Sequence, residues 1–245
     1  MVSKKSLITF FYINGFLFGL SYFNNYLLRN YILMLFIYHG TKNKDWVAGS
    51  KKITFKDHLH VFSSTFIEII TSTLCAQLAL RGNKPVCNWI YFLPILFLFE
   101  VILDLFHYTF HRLLHTPKLY FIHKKHHYYT NPAIINTYFH SPLDVILTIS
   151  IPTLLALKII PVSFTNFQMN LVLVYKSFIE ISGHTGKKLA PSSCFPMCVW
   201  LPRALGIELY TEDHHRHHSR NNCNYSKRFS IWDKLFGTYI SQNRE

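Results

Sequence analysis

The segment from Val61 to Leu80 is 20 residues of predominantly apolar sequence, about 30 Å of helix at ~1.5 Å per residue, or one hydrocarbon thickness. Arg81-Gly82-Asn83-Lys84-Pro85 follows as a short turn. Trp89 to Leu105 then reads as the return, with Trp89 and Tyr91 where amphipathic rings settle at a membrane surface. Composition agrees, because 15% of the residues are charged and 50% apolar, whereas a soluble domain carries about 25% charged. With 22 Phe and 15 Tyr the chain is neither disordered, collagen-like nor a coiled coil. No linker rich in Gly, Ser or Pro divides it, so residues 1–245 are expected to form a single domain.

The remaining apolar segments complete the count. Ser6 to Phe23 follows Lys4 and Lys5, lacks an obvious small-residue cleavage site, and reads as a retained anchor rather than a signal peptide. Asn24, Asn25, Arg29 and Asn30 interrupt it before Tyr31 to Tyr38, so one tilted helix and two short ones both fit. Lys42, Lys44, Lys51, Lys52 and Lys56 form the densest basic loop, which the positive-inside rule places in the cytosol. Val145 to Ile160 and Val162 to Ile181, split by Pro161, read as a hairpin that dips into the membrane and returns. Counting spans from the lysine loop brings His107 and His184 to the cytosolic face, and everything after Gly183 is polar and basic.

The expected fold is therefore all-α, an integral membrane helical bundle with a cytosolic histidine-rich cap holding a dinuclear metal site. Residues 1–106 should be mainly membrane-spanning, and residues 107–245 should carry the histidines and a membrane hairpin at about 145–181. The net charge of +13 fits nucleic acid, anionic lipid or loops on the positive side of a bilayer, and the apolar composition favours the last. Five cysteines, Cys75, Cys87, Cys194, Cys198 and Cys223, form neither a disulfide framework nor a zinc-ribbon spacing. Cys194 and Cys198 read as packed apolar groups.

Histidine is the outlier, since 12 of 15 fall between His107 and His218. Asp104, His107, His111 and His115 step by three, four and four, one stripe on a helix with the carboxylate a turn ahead of the first imidazole. His123, His126 and His127 repeat the pattern at i, i+3 and i+4, and His214, His217 and His218 repeat it again. Neutral imidazole suits iron, zinc, copper and nickel, and two rings a turn apart can grip one ion. A lone histidine near a membrane surface is more often a satisfied polar residue, and His39, His58, His60 and His215 are read that way. Three boxes on one side of a bilayer are different, because eight imidazoles packed without a cation leave donors unpaired or protons repelling. Eight ligands exceed the needs of one tetrahedral ion, so two metals with open positions are inferred. With few carboxylates in the boxes, Asp104, Glu180 and Asp213 are read as partners orienting imidazole N–H groups. Asp233 is read equally well as such a partner and as a C-terminal turn contact. Arg112, Lys124 and Lys125 suit phosphate head groups or an acidic electron donor.

From about Asp104 to Tyr239 the chain resembles the sterol desaturase and fatty acid hydroxylase superfamily of membrane di-iron enzymes. The resemblance is carried by Asp104-Leu-Phe-His-Tyr-Thr-Phe-His-Arg-Leu-Leu-His115, by His123-Lys-Lys-His-His127 with Asn131-Pro132, and by His214 to His218 with Asn224-Tyr225 and Ile231-Trp-Asp-Lys-Leu-Phe-Gly-Thr-Tyr239. It implies that the box histidines bind two irons that activate O₂, with electrons from NAD(P)H through a separate reductase and a b-type cytochrome. It extends the ligand set to His184 and to His115 or His140. Relatives would hydroxylate, desaturate or demethylate sterol, fatty acyl or sphingoid lipids, at the endoplasmic reticulum in a eukaryote. His140-Ser-Pro-Leu-Asp144 departs from the family pattern, where a proline is followed shortly by glutamate. Zinc is an alternative occupant in a purified sample.

Lipid substrate, membrane lipids and an electron-donor protein are thus the expected partners, with no nucleic acid. A membrane zinc hydrolase is disfavoured because no HExxH is present, and a metal transporter because its ligands would sit within the spans. The sequon Asn224-Tyr225-Ser226 falls on the expected cytosolic side and should be bare.

Overall fold

The computed structural model describes residues 4–23, 25–49, 54–80, 83–189 and 200–241. Among them every named element is a helix. Cys194 and Cys198, like Lys51 and Lys52 of the basic loop, lie outside the described residues.

The N-terminal apolar region is two helices, α1 (Lys4–Leu20) and α2 (Tyr26–Thr41). The break is set by Asn25, whose side chain accepts from Leu28 N at 3.0 Å and caps α2, satisfying one of the donors a helix start leaves open. Arg29 and Asn30 are not surface breakers but buried members of α2. The Arg29 guanidinium lies 4.9 Å from the centre of the Tyr26 ring and donates to Asn170 Oδ1 at 3.4 Å.

Among the described residues, three helices are long and apolar enough to cross a membrane. These are α3 (Phe55–Leu80), α4 (Trp89–Leu114) and α5 (Pro142–Ile159), the first of them apolar as far as Ala79. Asn88 caps α4 through its side chain, accepting from Ile90 N at 3.1 Å, and α4 runs unbroken past Leu105 to carry His107 and His111. α5 contains a π-helical stretch, Ile146–Ser150, just before Pro152. Such stretches interrupt the regular ladder and recur at functional sites.

The hairpin read at 145–181 is α5 and α6 (Asn166–Gly183), on either side of Pro161. α6 opens with a capping box, Thr165 N to Gln168 Oε1 at 2.9 Å and Gln168 N to Thr165 Oγ1 at 3.1 Å. It is enclosed by protein along most of its length, because it carries charge that lipid would not tolerate. Lys176 Nζ meets Glu68 Oε1 at 3.2 Å and Glu180 Oε1 at 2.9 Å, so the charges are neutralised inside the bundle. The apolar core runs from Leu17 and Leu33 through Leu96 and Phe99 to Val174 and Ile181. Cys75, Cys87 and Cys223 are free and buried. α7 (Thr211–Arg220) brings the third box against the end of α4 and the end of α6.

Candidate metal centre

The boxes converge from four parts of the chain. α4 supplies His111 and, at its C-cap, His115. The chain then makes one helical turn, Tyr120–His123, and a short 3₁₀ turn, His126–Tyr128, which hold the second box. α7 holds His214, His217 and His218, and His184 caps the end of α6. Two sets of ring nitrogens result, each lying within 4.8 Å of one another. One comprises His111, His115, His123, His127 and His217, and the other His126, His184, His214 and His218.

The second nitrogen of many rings is fixed by an oxygen that can only accept. His111 Nδ1 donates to Tyr225 O at 2.7 Å, His217 Nδ1 to Cys223 O at 2.7 Å, and His184 Nδ1 to Glu180 O at 2.8 Å. His123 Nδ1 donates to Asp144 Oδ1 at 2.8 Å. Each contact puts the proton on Nδ1 and leaves the Nε2 lone pair for the interior, as metal-binding imidazoles require. The local sequence explains the carbonyls. Glu180 O is one of those a helix end leaves unpaired. Cys223 and Tyr225 lie in a loop turned by Asn221 at φ 63° and Asn224 at φ 54°, left-handed conformations that asparagine tolerates better than most residues. Asp233 holds that loop, accepting from Tyr225 N and Ser226 N at 2.8 Å each.

The inward nitrogens crowd together. His214 Nε2 is 3.0 Å from His184 Nε2 and 3.2 Å from His218 Nε2, His184 Nε2 is 3.5 Å from His126 Nε2, and His217 Nε2 is 3.2 Å from His127 Nε2. One N–H on His214 can serve only one neighbour. Nε2 of His111, His115 and His123 is buried with no hydrogen-bond partner among the described residues. Two nitrogens bound at about 2.1 Å to one ion at tetrahedral or octahedral angles sit about 3.0–3.4 Å apart, so the spacing fits shared cations. Burial and neighbouring rings favour the neutral form of His115, His126, His127, His184, His214, His217 and His218. His115 and His184 are pushed down to about 3, chiefly by desolvation. His126, His127, His214, His217 and His218 lie well below the ordinary range for the same reason, with adjacent imidazoles adding to it. Ready deprotonation is what a metal-binding histidine needs.

The other residues singled out from sequence take varied places. His107 stands outside both sets. Its ring centre is 5.0 Å from that of His111, and its Nδ1 donates to Thr148 O at 2.8 Å. Pro152 has no N–H to give that carbonyl one helical turn earlier, which leaves it available. His140 is also outside, because both its nitrogens face acceptors, Asp144 Oδ2 at 2.8 Å and Thr137 O at 3.0 Å. Its ring stacks on His126 at 4.2 Å and 9°. Asp144 is thus the carboxylate that orients imidazoles, gripping His123 and His140 at once. Asp104 faces backbone instead, accepting from Lys227, Arg228 and Phe229 N at 2.8–3.0 Å. Glu180 reaches His184 through its carbonyl, its carboxylate being paired with Lys176. Asp213 Oδ2 accepts from Tyr210 N at 3.0 Å at the start of α7. Arg112 donates to Tyr108 at 2.9 Å, and Lys125 meets His60 at 3.0 Å. His39, His58, His60 and His215 belong to neither set. Asn224 Nδ2 is spent on Asp213 O and Ile240 O, at 3.1 and 3.0 Å.

The described residues form an all-helical bundle with three candidate membrane spans and two sets of imidazoles, nine in all, that have the donors to hold metal ions. The chain belongs to the fatty acid hydroxylase family, whose model matches residues 96–238, within the sterol desaturase and fatty acid hydroxylase superfamily. It is 32% identical over 196 residues to the fatty acid hydroxylase vlmA of Lecanicillium sp., covering 77% of this chain and 53% of that protein. It is 29% identical over 178 residues to the C-4 methylsterol oxidase erg25 of Schizosaccharomyces pombe, covering 67% and 53%. A very-long-chain aldehyde decarbonylase of Oryza sativa, GL1-8, is 27% identical over 186 residues, covering 73% and 64%. The chain spans about half the length of the first two. No solved structure matches.

Proposed function

We propose that this chain is a membrane-bound oxidoreductase that oxidises a lipid with O₂, holding one iron in the set of His111, His115, His123, His127 and His217 and a second in the set of His126, His184, His214 and His218. The observation that supports this reading is the pair of nitrogen sets, in which His111, His123, His184 and His217 are oriented by oxygens at Nδ1. Bound iron would supply the activation of O₂ that an unactivated C–H bond requires. The protein's own part is orientation and exclusion. Asp144 and the carbonyls of Glu180, Cys223 and Tyr225 fix the ring tautomers, and the buried faces of α4, α6 and α7 keep bulk water from the rings. Electrons would come from NAD(P)H through a separate reductase and b-type cytochrome, and the centre would face the cytosol at the endoplasmic reticulum of a eukaryotic cell. Residues 1–245 would act as a single domain with a lipid substrate of the sterol, fatty acyl or sphingoid kind. The names of the relatives, a fatty acid hydroxylase and a methylsterol oxidase, support that range.

The test is metal analysis joined to lipid profiling. Protein produced with iron should hold about two ions per chain and lose them in the His126→Ala, His127→Ala double variant. Cells expressing the wild type should accumulate a lipid with a new hydroxyl or double bond that the double variant does not make. Product formed without O₂ would overturn the proposal.

A further inference from the structure

His107 is the histidine of the three boxes that enters neither nitrogen set, and its contacts give it another task. It meets α5 at the π-helical stretch Ile146–Ser150, a wide turn in which Ile151 N donates to Ile146 O, five residues back. Pro152 brings no N–H to the Thr148 carbonyl. The His107 Nδ1–H takes that place from α4, at 2.8 Å. Side chains also serve the neighbouring carbonyls. Thr153 Oγ1 donates to Ile149 O at 2.7 Å, and Cys75 Sγ donates to Ser150 O at 3.3 Å. The wide turn is thus pinned from outside its own helix, by α3 through Cys75 and by α4 through His107.

The turn sets the register of α5. One extra residue in a turn rotates everything before it by about 100° relative to everything after it. Beyond the turn, Ile151–Ile159 pack against α3 and α4. Ahead of it, Ser141 and Asp144 face the second box. Ser141 Oγ donates to Ile122 O at 2.8 Å, next to His123, and Asp144 Oδ1 accepts from His123 Nδ1 at 2.8 Å. Thr148 joins the two ends. Its carbonyl holds His107, while its hydroxyl lies 2.8 Å from Asp144 O and 3.3 Å from Asp144 Oδ1. With a regular turn here, the packing of the later residues would turn Asp144 away from His123.

We infer that His107 is a positioning residue, whose bond to the Thr148 carbonyl holds the wide turn and so aims Asp144 at His123. The inference rests on the reading of His123 as a metal ligand and deepens it. The first box then acts twice, through His111 and His115 as ligands and through His107 as the group that sets the second box.

The tautomer of His123 reads this without metal, so failure here is separable from failure of the metal reading. The metal-free full chain, with isotope-labelled histidine, is placed in phosphatidylcholine nanodiscs for nitrogen NMR. The His123 resonances, assigned by their loss in His123→Gln, should show the proton on Nδ1. His107→Phe, which keeps a ring and removes the donor, should convert them to a mixture of both tautomers. His107→Asn, whose Nδ2 stands where Nδ1 does, should restore the Nδ1 form. With cobalt(II) as the probe ion, chelator competition should show retention at the set containing His123 reduced about tenfold in His107→Phe, with the set containing His184 unchanged. His107→Phe should add nothing to Asp144→Asn, through which it acts. An unchanged tautomer in His107→Phe, equal weakening of both sets, or additive effects of the two changes overturns the inference. A wild type that binds no cobalt rejects the metal reading and leaves the tautomer to decide this one. Should His107→Phe not fold, Pro152→Ala, which offers Thr148 O a backbone donor, must give the same mixture, and a His123 that keeps its proton on Nδ1 there overturns the inference equally.

Discussion

His217 and His218 are neighbours on α7, yet their ring centres stand 5.7 Å apart at 82° and enter different nitrogen sets. His126 and His127 divide in the same way, 5.5 Å apart at 89°. Successive residues of a helical turn point about 100° apart, so a doubled histidine offers one ring to each set. Separate sets should empty separately. His217→Ala should lower metal content from about two ions per chain toward one, by loss from the set containing His111, and His218→Ala should do the same from the set containing His184. Elemental analysis with iron spectroscopy distinguishes the two residual sites. Identical residual spectra from both variants would show a single shared site.

Asp144 ties His123 and His140 together, 2.8 Å to each Nδ1. An amide keeps one acceptor oxygen but replaces the other with a donor, so Asp144→Asn can hold only one of the two rings in its present tautomer. Loss of such an orienting partner commonly costs 10–100-fold in metal affinity. Asp144→Asn should weaken retention by about that factor in a chelator competition, first at the set containing His123, with little change in helix content. Unchanged retention would reduce Asp144 to a packing residue.

The contrast between Asp144 and Asp104 shows where sequence reading stops. The i, i+3, i+4 spacing brings the boxes to notice, because helical geometry acts within a few residues, although the second box lies across a helical turn and a 3₁₀ turn rather than on one helix. It also locates α3 and α4, whose length and apolarity are local properties. Orienting groups are another matter. The oxygens that fix His111 and His217 are backbone carbonyls of residues 225 and 223, and a carbonyl has no sequence signature. Only the two left-handed asparagines and the clamp from Asp233 hint at that loop. Asp104 shares a stripe with His107 and His111 but turns its carboxylate to the backbone of residues 227–229. His115 joins a set and His107 does not, a choice made by the neighbours Thr148 and Pro152 rather than by spacing. Residues 162–181 read as a returning membrane arm, yet α6 is not among the helices apolar enough to span, and its Lys176 is neutralised by Glu68, far away in sequence, and by Glu180.

That buried network gives a stability prediction. Lys176 holds Glu68 and Glu180, while Lys227 and Arg228 approach Glu180 at 3.4 and 3.5 Å. Removing one partner of a buried pair costs about 3–5 kcal/mol, because the other charge remains without compensation. Lys176→Met should lower the melting temperature sharply, and adding Glu68→Gln should recover part of the loss. Strict additivity of the two changes would mean that the contact contributes nothing.

Acid should act on the metal-free protein through the imidazoles. An unfolded histidine titrates near 6.5, whereas His115 and His184 are pushed down to about 3 by burial. The unfolded chain therefore binds more protons than the folded one between those values, and stability falls as pH drops through that window. Above about 6.5 both states hold neutral rings and these groups give no slope. Denaturant midpoints of the metal-free protein should be level from pH 8 to 7 and decline steadily from about 6.5 downward. Bound metal excludes protons from the same lone pairs, so the loaded protein should keep its midpoint to lower pH and then lose ion and fold together. A metal-free protein whose midpoint stays flat down to pH 4 would show that the rings are open to water and protonate in place.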